Sequence, residues 1–456
     1  MSTKNKTTSN SIAVHVRWRP LARIESEVAG LGIQRSTKAS NSTTPPFSVS
    51  VAQPPPKSTS WASAAAFNNV FGPGDRNADV YTTLVAPALP NVLSGQHFSV
   101  FAYGHSGSGK THTIIGDTSE RGEGPGLCVA AARELFEALG DLNKELQGEQ
   151  RLGIGLSVFE LRKNSAFDLL AGRTECHIRE GPDGKTHIRG QTEILEKGKV
   201  RVRPLTKRPC WDFDTLRHDL QQSLRNRAVG SSSVHDQSSR THAVIELEIV
   251  NQPLVEAREA LIKRQSELVP VGKLATDIAI KEQSKGYIRT VSGAWAPNPD
   301  NPVNEQIIDA ANAEKAKYEA RVQEAEEHVE NTLRSSGSGC LGARMVFVDL
   351  AGAEYHHEKG TMPARTAKQT PQERQEGRQI NTDLLALKEV IRAWSKKQRR
   401  IPFRSSPLTM VLREHFLESE KGSSSAMVVT VSPAEEQYSA TVNSLKYGSL
   451  VGAASA

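Results

Sequence analysis

The sequence predicts an α/β fold: a mostly parallel central sheet with helices on both faces and a glycine-rich loop at the carboxyl edge of the strands. Three observations lead there. Short apolar runs alternate with stretches of helical spacing along most of the chain. One run, with Phe98, Val100 and Phe101, leads into residues 104–111 (GHSGSGKT), which fit G-x-x-x-x-G-K-S/T. Residues 343–350 (ARMVFVDL) are nearly all apolar, as a strand covered on both faces must be. With 456 residues, 37% of them hydrophobic, the chain can bury a large core.

Bulk composition narrows the classes. No run of about 18 apolar residues is present to span a membrane. The first residues (MSTKNKTTSNS) lack the apolar segment of a secretory signal. Cys128, Cys176, Cys210 and Cys340 are scattered without a C-x-x-C pair, which fits a reducing, cytoplasmic setting with neither a disulfide frame nor a zinc site. A formal charge of +6 permits an acidic partner, although an excess of this size equally describes a solvated surface.

Taken in order, residues 1–10 are polar and expected to be a disordered tail. Ile12, Val14, Val16 and Trp18 alternate and predict the first strand. Residues 36–60, rich in Ser, Thr and Pro, predict a loop with a short strand at 47–51. Residues 61–81 read as a strand, a Pro-Gly turn and a helix start, and helical spacing continues over 79–93. Beyond a helix start at Lys110, residues 127–146 predict a helix, 153–159 a strand and 167–170 the beginning of a return. Phe213, Leu216, Leu220 and Leu224 lie on one face of a helix over 212–227. Residues 243–250 (AVIELEIV) predict a strand. After the polar stretch 354–379, residues 380–394 predict a helix with Leu384, Leu387, Val390, Ile391 and Trp394 inward. A basic segment follows at 395–404 (SKKQRRIPFR), then a helix at 407–416, a strand at 426–432 and a last helix at 438–447.

Residues 251–340, between two predicted strands, differ in character. Asn301 and Pro302 offer a helix cap with proline at the first helical position. From there to Arg334 the stretch is rich in Ala, Glu and Lys, and Tyr318, Val322, Ala325, Val329 and Leu333 make a narrow apolar seam that Gly337 ends. The composition fits a solvated helix or flexible insertion; the seam fits an arm that pairs with a partner helix through residues 303–334. If the flanking strands are antiparallel neighbours, the insertion leaves the sheet one strand length, roughly 25 Å, from the glycine-rich loop. It should then lie outside the core, so that exchanging 253–338 for a short turn spares the fold and basal activity.

The glycine-rich loop carries the clearest chemistry. Small residues let backbone N–H groups fold around phosphate oxygens, as a helix N-terminus also favours. Gly104, His105, Ser106, Gly107, Ser108 and Gly109 form this predicted cradle. Lys110 is placed to reach β- and γ-phosphates, and the Thr111 hydroxyl to ligate Mg²⁺. A nucleotide and Mg²⁺ are the expected ligands.

Several motifs then fall into one order, and the chain resembles a kinesin motor domain. Residues 14–20 (VHVRWRP) resemble the family's opening V-x-V-R-x-R-P, which implies that Arg17, Arg19 and Pro20 flank the adenine. Phe67, Val70, Phe71, Val80 and Tyr81 match the segment ahead of the phosphate loop, and His112 continues the loop itself. Asn226 and Arg227, then Ser238, Ser239, Arg240, Thr241 and His242, resemble switch I; residues 349–354 (DLAGAE) resemble switch II. Ile380 and Asn381 with the leucines after them resemble the relay helix, and residues 402–409 and 443–447 the closing motifs. The likeness spans residues 11–448 outside 36–60 and 251–340, leaving 449–456 as a short tail. The wording of 388–393 and of 402–404 with 411–413 leans toward the internal-motor kinesins that depolymerise microtubules.

The resemblance implies roles. Asp349 would hold Mg²⁺, with Thr111 and Ser239; Ser238 and Ser239 supply hydroxyls to its shell. The Gly352 N–H would meet the γ-phosphate, where no side chain blocks approach. Arg240 and Glu354 would form the ion pair that closes the site and orders the attacking water. Lys396, Lys397, Arg399, Arg400 and Arg404 would face the microtubule, the expected partner, on the cytoskeleton, with the spindle as one candidate setting; membrane and nucleic acid are not expected partners. Three departures stand out: His235 replaces Asn, Ala353 lacks the usual serine hydroxyl and Tyr355 replaces a basic residue. They bear on hydrolysis more than on binding. A microtubule-stimulated ATPase leads, with a catalytically impaired microtubule binder and an ATP-dependent depolymerase as the alternatives.

Overall fold

The computed structural model describes residues 12–22, 25, 31–35, 47–52, 60–116, 124–146, 148–181, 184–196, 199–227, 240–289, 293–335, 337–353, 371–417 and 423–455. In chain order its strands are β1 (Ile12–Trp18), β2 (Leu31–Arg35), β3 (Phe47–Ala52), β4 (Ser60–Ala62), β5 (Asn69–Phe71), β6 (Phe98–Tyr103), β7 (Gly153–Arg162), β8 (Ser165–Asp168) and β9 (Thr174–Glu180). They continue with β10 (Thr186–Ile194), β11 (Val200–Pro204), β12 (Arg208–Cys210), β13 (His242–Val250), β14 (Tyr287–Arg289), β15 (Trp295–Pro297), β16 (Arg344–Asp349) and β17 (Ser424–Val431). The helices are α1 (Asn77–Leu84), α2 (Leu89–Leu93), α3 (Lys110–Ile114), α4 (Leu127–Leu142), α5 (Phe213–Arg225), α6 (Gln252–Gly286), α7 (Glu305–Ser335), α8 (Pro371–Ser395), α9 (Pro407–Val411), α10 (Arg413–Leu417) and α11 (Tyr438–Ser455).

One large sheet runs β11-β10-β9-β8-β7-β13-β16-β6-β17-β1-β5, with β12 paired to β7. From β16 to β5 neighbours are parallel, with Asp349 beside Ala102 and Met427 beside Phe101. From β11 to β16 they are antiparallel. The parallel part carries the phosphate loop, and helices cover both faces as the sequence predicts. Val80, Leu89, Leu135 and Leu220 pack one face against Val100, Phe347 and Ile245. Leu387, Val390, Phe416 and Leu445 pack the other against Val16, Phe101 and Val348.

Several predicted boundaries move, each for a local reason. The helix over 79–93 is broken: α1 stops at Leu84 and α2 starts at Leu89, with Pro87 and Pro90 in the first turns of the pieces between. Proline has no N–H to continue a ladder. The 127–146 helix ends at Leu142, where the Asn143 side chain turns to bond both backbone groups of Leu152. The 407–416 helix is two pieces that part at Leu412, and α8 starts at Pro371, ahead of 380. Residues 449–455 are no tail, because α11 continues to Ser455 with Val451 buried. A Cβ on Gly452 would lie 1.9 Å from the Ala66 carbonyl oxygen, so only glycine lets the helix close there.

Residues 251–340 differ most from expectation. β13 and β16 are antiparallel neighbours with Ala243 opposite Asp349, so the insertion does leave from the edge opposite the phosphate loop. It begins with α6, a 35-residue helix that the sequence reading left unassigned. The side chain of Asn251 caps it by accepting from the Leu254 N–H. α7 returns along α6, and its start is set by Asn304, which accepts from the Ile307 N–H, rather than by Asn301. The seam Tyr318, Val322, Ala325, Val329 and Leu333 is half-buried, and its helix partner is α6 of the same chain. The root of the arm is core: Leu254 and Ala257 are buried, and Val329 and Leu333 pack on the same cluster. Exchanging all of 253–338 would therefore open the core. Among the described residues, no helix is long and apolar enough to cross a membrane.

Candidate functional site

β6 (FSVFAY) carries no charge, lies fully buried in mid-sheet and delivers the chain to the carboxyl edge at Gly104. A Cβ there would lie 2.3 Å from the Thr430 carbonyl oxygen. Gly107 and Gly109 adopt left-handed backbone, φ 73° and 99°, which only glycine takes without strain. Ser108 Oγ sits 2.8 Å from Thr430 Oγ1, fixing the loop to β17. The buried Lys110 ammonium donates to the carbonyls of Gly104 at 3.1 Å and His105 at 2.8 Å, curling the loop around its own cation. His105 Nδ1 donates to the Ser106 carbonyl at 2.8 Å, and burial pushes its imidazole down to about 4, so the ring is neutral near pH 7.

Asp349 closes the site from β16. Its Oδ2 accepts from Thr111 Oγ1 at 2.7 Å and from Arg227 Nη1 at 2.6 Å. Its Oδ1 is buried and has no hydrogen-bond partner among the described residues. A buried carboxylate oxygen in that state calls for a further group. A hydrated divalent cation between Thr111 and Asp349 would supply one, so the donors fit Mg²⁺. A cavity of 390 Å³ opens beside Thr111 and Arg227, walled by Ile115 and Leu224. Arg227 also donates from Nη2 to the Thr241 carbonyl at 2.9 Å, which ties the end of α5 to β13.

The start of the predicted switch II lies on the loop. The Ala353 N–H donates to the Gly104 carbonyl at 3.1 Å, and a Cβ on Gly352 would fall 2.8 Å from the Ser106 nitrogen. Arg240 stands half-buried two residues ahead of β13. Ser238, Ser239, Glu354, His235 and Tyr355 lie outside the described residues, as do residues 1–10.

The predicted adenine-side residues divide. Arg19 pairs with Glu25, whose carboxyl that hydrogen bond holds below its usual range, and its Cβ sits beside Gly109. Pro20 is exposed and His112 half-buried. Arg17 instead points inward, donating to Asn77 Oδ1 at 2.5 Å and Thr113 Oγ1 at 2.8 Å, so it braces β1 against α1 and α3. Arg227, Asn77 and Thr113 were missed as site residues. Only Arg227 carried a signal, its place in the Asn226-Arg227 pair.

Far from the loop, Lys396, Lys397, Arg399 and Arg400 are all exposed just past α8. Backbone N–H groups of Lys396, Lys397 and Gln398 bond back into the last turn, so the cluster caps a helix C-terminus, where positive charge is favoured. Trp394 holds that end, its indole donating to the Phe416 carbonyl at 3.0 Å. Arg404 differs: its guanidinium is bidentate to Glu180, at 2.6 and 2.8 Å, so a carboxylate already answers its charge.

Comparison with known proteins gives one family. The family model described as the kinesin motor domain matches residues 17–282 and 318–453. The kinesin-like protein KIF24 of Mus musculus is 26% identical over 385 residues, 84% of this chain and 20% of its own length. The kinesin-like protein KIN-13A of Oryza sativa subsp. japonica is likewise 26% identical over 385 residues, 84% of this chain and 34% of its own. This chain thus spans about a fifth to a third of those relatives. Among solved structures, a KIF14 dimer in its two-heads-bound state, with AMP-PNP and in complex with a microtubule, superposes with a TM-score of 0.57 at 21% identity, covering 97% of this chain and 94% of its own. The motor domain of a Kar3-like kinesin from Ashbya gossypii gives 0.55 at 19% identity, covering 97% and 99%.

Proposed function

This chain belongs to the kinesin motor-domain family, and we propose that it is a microtubule-stimulated ATPase acting on the cytoskeleton. The observation that carries the reading is the junction of Thr111, Asp349 and Arg227 beside the glycine cradle, with one buried Asp349 oxygen left over. Phosphoryl transfer needs positioning and charge stabilisation more than covalent help from the protein. Lys110 would exchange the Gly104 and His105 carbonyls for phosphate oxygens and keep its charge compensated throughout. Thr111, Ser239 and Asp349 would hold Mg²⁺, which neutralises charge across the β- and γ-phosphates when bound. Arg240 and Glu354 would close over the triphosphate, with Ser238 beside them. The Gly352 N–H would meet the last phosphate; the close packing of Gly352 on Ser106 supports that reading. The exposed Lys396, Lys397, Arg399 and Arg400 would meet the acidic filament, with Arg404 contributing only where Glu180 releases it.

A slower variant of the same chemistry has its own support. Ala353 offers no hydroxyl, and its N–H is held by the Gly104 carbonyl. Such a chain would hold nucleotide on the filament and turn it over slowly. Steady-state ATP turnover with no tubulin, free tubulin and polymerised tubulin separates the readings. Stimulation by polymer supports the motor reading and stimulation by free tubulin or filament ends a depolymerase. Filament co-sedimentation without stimulation indicates a binder, and no co-sedimentation overturns the proposal.

A further inference from the structure

α8 carries a carboxylate where the helix faces the core. Asp383 is 4% exposed, set among Ile380, Leu384 and Leu387, which pack on the sheet. Its Oδ1 accepts from Gln379 Nε2 at 3.1 Å, and the Ser406 side chain, which caps α9, also hydrogen-bonds to it. Its Oδ2 lies 4.0 Å from His242 Nε2. His242, buried at the first position of β13, accepts the Ala351 N–H on Nδ1 at 3.0 Å. That leaves the ring proton on Nε2. Burial, with the charges of Arg227 and Lys110, pushes the imidazole down to about 3, so the ring stays neutral. Nε2 has no hydrogen-bond partner among the described residues.

A buried N–H therefore faces a buried carboxylate across a gap about 1 Å too long for a hydrogen bond. Leaving such a donor unmade is costly, so closing the gap is favourable wherever α8 can move toward β13. The same ring holds the backbone next to Gly352, which lies against the phosphate loop. We propose that Asp383 and His242 are a positioning pair that passes displacement of α8 to the backbone at Ala351 and Gly352. The gap is open as seen here; coupling requires a second arrangement with the gap closed, which the test below probes. The basic cluster caps the same helix thirteen residues on, about 20 Å along its axis, so filament contact there would bias the pair. The pair rests on the filament reading above for its input and on the geometry at Ala351 and Gly352 alone for its output.

The test uses Asp383→Ser, which draws the acceptor oxygen back out of reach of His242, and Asp383→Asn, which keeps an oxygen at the same reach. Two readouts apply: the ratio of filament-stimulated to basal turnover, and deuterium uptake by the peptide containing Ala351. Asp383→Ser should lower the ratio by roughly three- to tenfold and raise uptake, while Asp383→Asn stays within about twofold of the unaltered chain. Combining Asp383→Ser with His242→Ala should cost no more than the worse single change, because both break one link. The inference is overturned if Asp383→Ser matches the unaltered chain in both readouts, if Asp383→Asn fails as badly, or if the two losses multiply. If filaments do not stimulate even the unaltered chain, the filament reading fails by itself, and uptake alone decides the pair: raised uptake upholds it and unchanged uptake sinks it. Should Asp383→Ser not fold, Asp383→Leu serves the same arms.

Discussion

The ladder between β13 and β16 holds buried charge in two places, and the two are treated differently. Toward the phosphate loop, Asp349 has one oxygen met by Thr111 and Arg227 and one met by nothing described. Toward the arm, Glu246 and Glu248 share Lys207, and Glu248 also accepts from Nη2 and Nη1 of Arg258 at 2.7 and 3.0 Å. A buried charge whose partners are all internal holds the fold together. Asp349, with an atom left over beside the glycine-rich loop, is open to a ligand. The same pair of strands does both, at opposite ends.

The sharpest way to break that contrast is at the loop. Lys110→Ala should lower ATP turnover by roughly a hundred- to a thousandfold, the scale for losing a group that stabilises transferring charge. Its melting temperature should hardly move. Steady-state turnover with a thermal melt checks both. An active Lys110→Ala would put the loop with the arm root, as structure only.

The arm root should answer in stability instead. Burial would raise the Glu248 carboxyl, but the charge of Lys207 and the hydrogen bonds from Arg258 and Lys207 outweigh that and hold it well below its usual range. Glu248→Gln should cost about 2 kcal/mol, below the figure for a wholly buried pair because Lys207 and Arg258 are partly exposed. The depressed folded pKa fixes the sign with pH. The contribution is complete above the unfolded carboxylate value near about 4.3 and fades as pH falls below it toward the folded value. Urea unfolding at pH 7 and at about pH 3.5 should show the deficit of the Gln variant shrinking in acid. An equal deficit at both would mean that charge is not what Glu248 contributes.

Much of the loop end was legible from the sequence, and little of the wing and arm was. Gly104, Lys110, Thr111 and Asp349 are specified by local chemistry, and the strands that lead to them, β6 and β16, are largely apolar. β9, β10 and β11 interleave Arg179, Arg189, Arg201 and Arg203 with the few apolar residues that face inward, so no run stands out. Helix α6 escaped because Pro270 sits inside it and its apolar residues turn from the core to α7 along its length. The inward turn of Arg17 depends on Asn77 and Thr113, 60 and 96 residues away, which no local pattern reveals.

Exposed charge sets a third point on the scale. Lys396, Lys397, Arg399 and Arg400 have solvent around them, unlike Asp349 or Glu248. Replacing the four by Ala should weaken filament co-sedimentation roughly tenfold at low salt and flatten its salt dependence, since screening acts on such charges. Arg404→Ala should do less for the filament, because Glu180 already answers its charge and keeps Arg413 as a partner without it. If the fourfold variant sediments as before, the cluster is only a helix cap.

The smallest effect should come from the far part of the arm. Val271, Leu274 and Ile278 on α6 line one cavity with Ile307, Ala310 and Glu314 on α7. None of these residues is in the core clusters of the sheet, whereas Leu254, Val329 and Leu333 are buried in or packed on one. Replacing 272–314 with a short Gly/Ser turn keeps that root, the Glu248 network and the ion pair of Lys199 with Glu267 at 3.5 Å. Loop closure over the shortened hairpin differs little in entropy from the present one. Basal turnover and the urea midpoint should therefore stay close to those of the unaltered chain. Taking out all of 253–338 should lower the midpoint sharply, because Leu254, Ala257, Val329 and Leu333 leave with it and the sheet cluster they cover is opened. If the short and long deletions destabilise alike, the arm is one cooperative unit with the sheet and the boundary drawn at its root is misplaced. If neither destabilises, the charges of Glu246 and Glu248 are better exposed than paired, and the contrast between the two ends of the ladder loses its structural half.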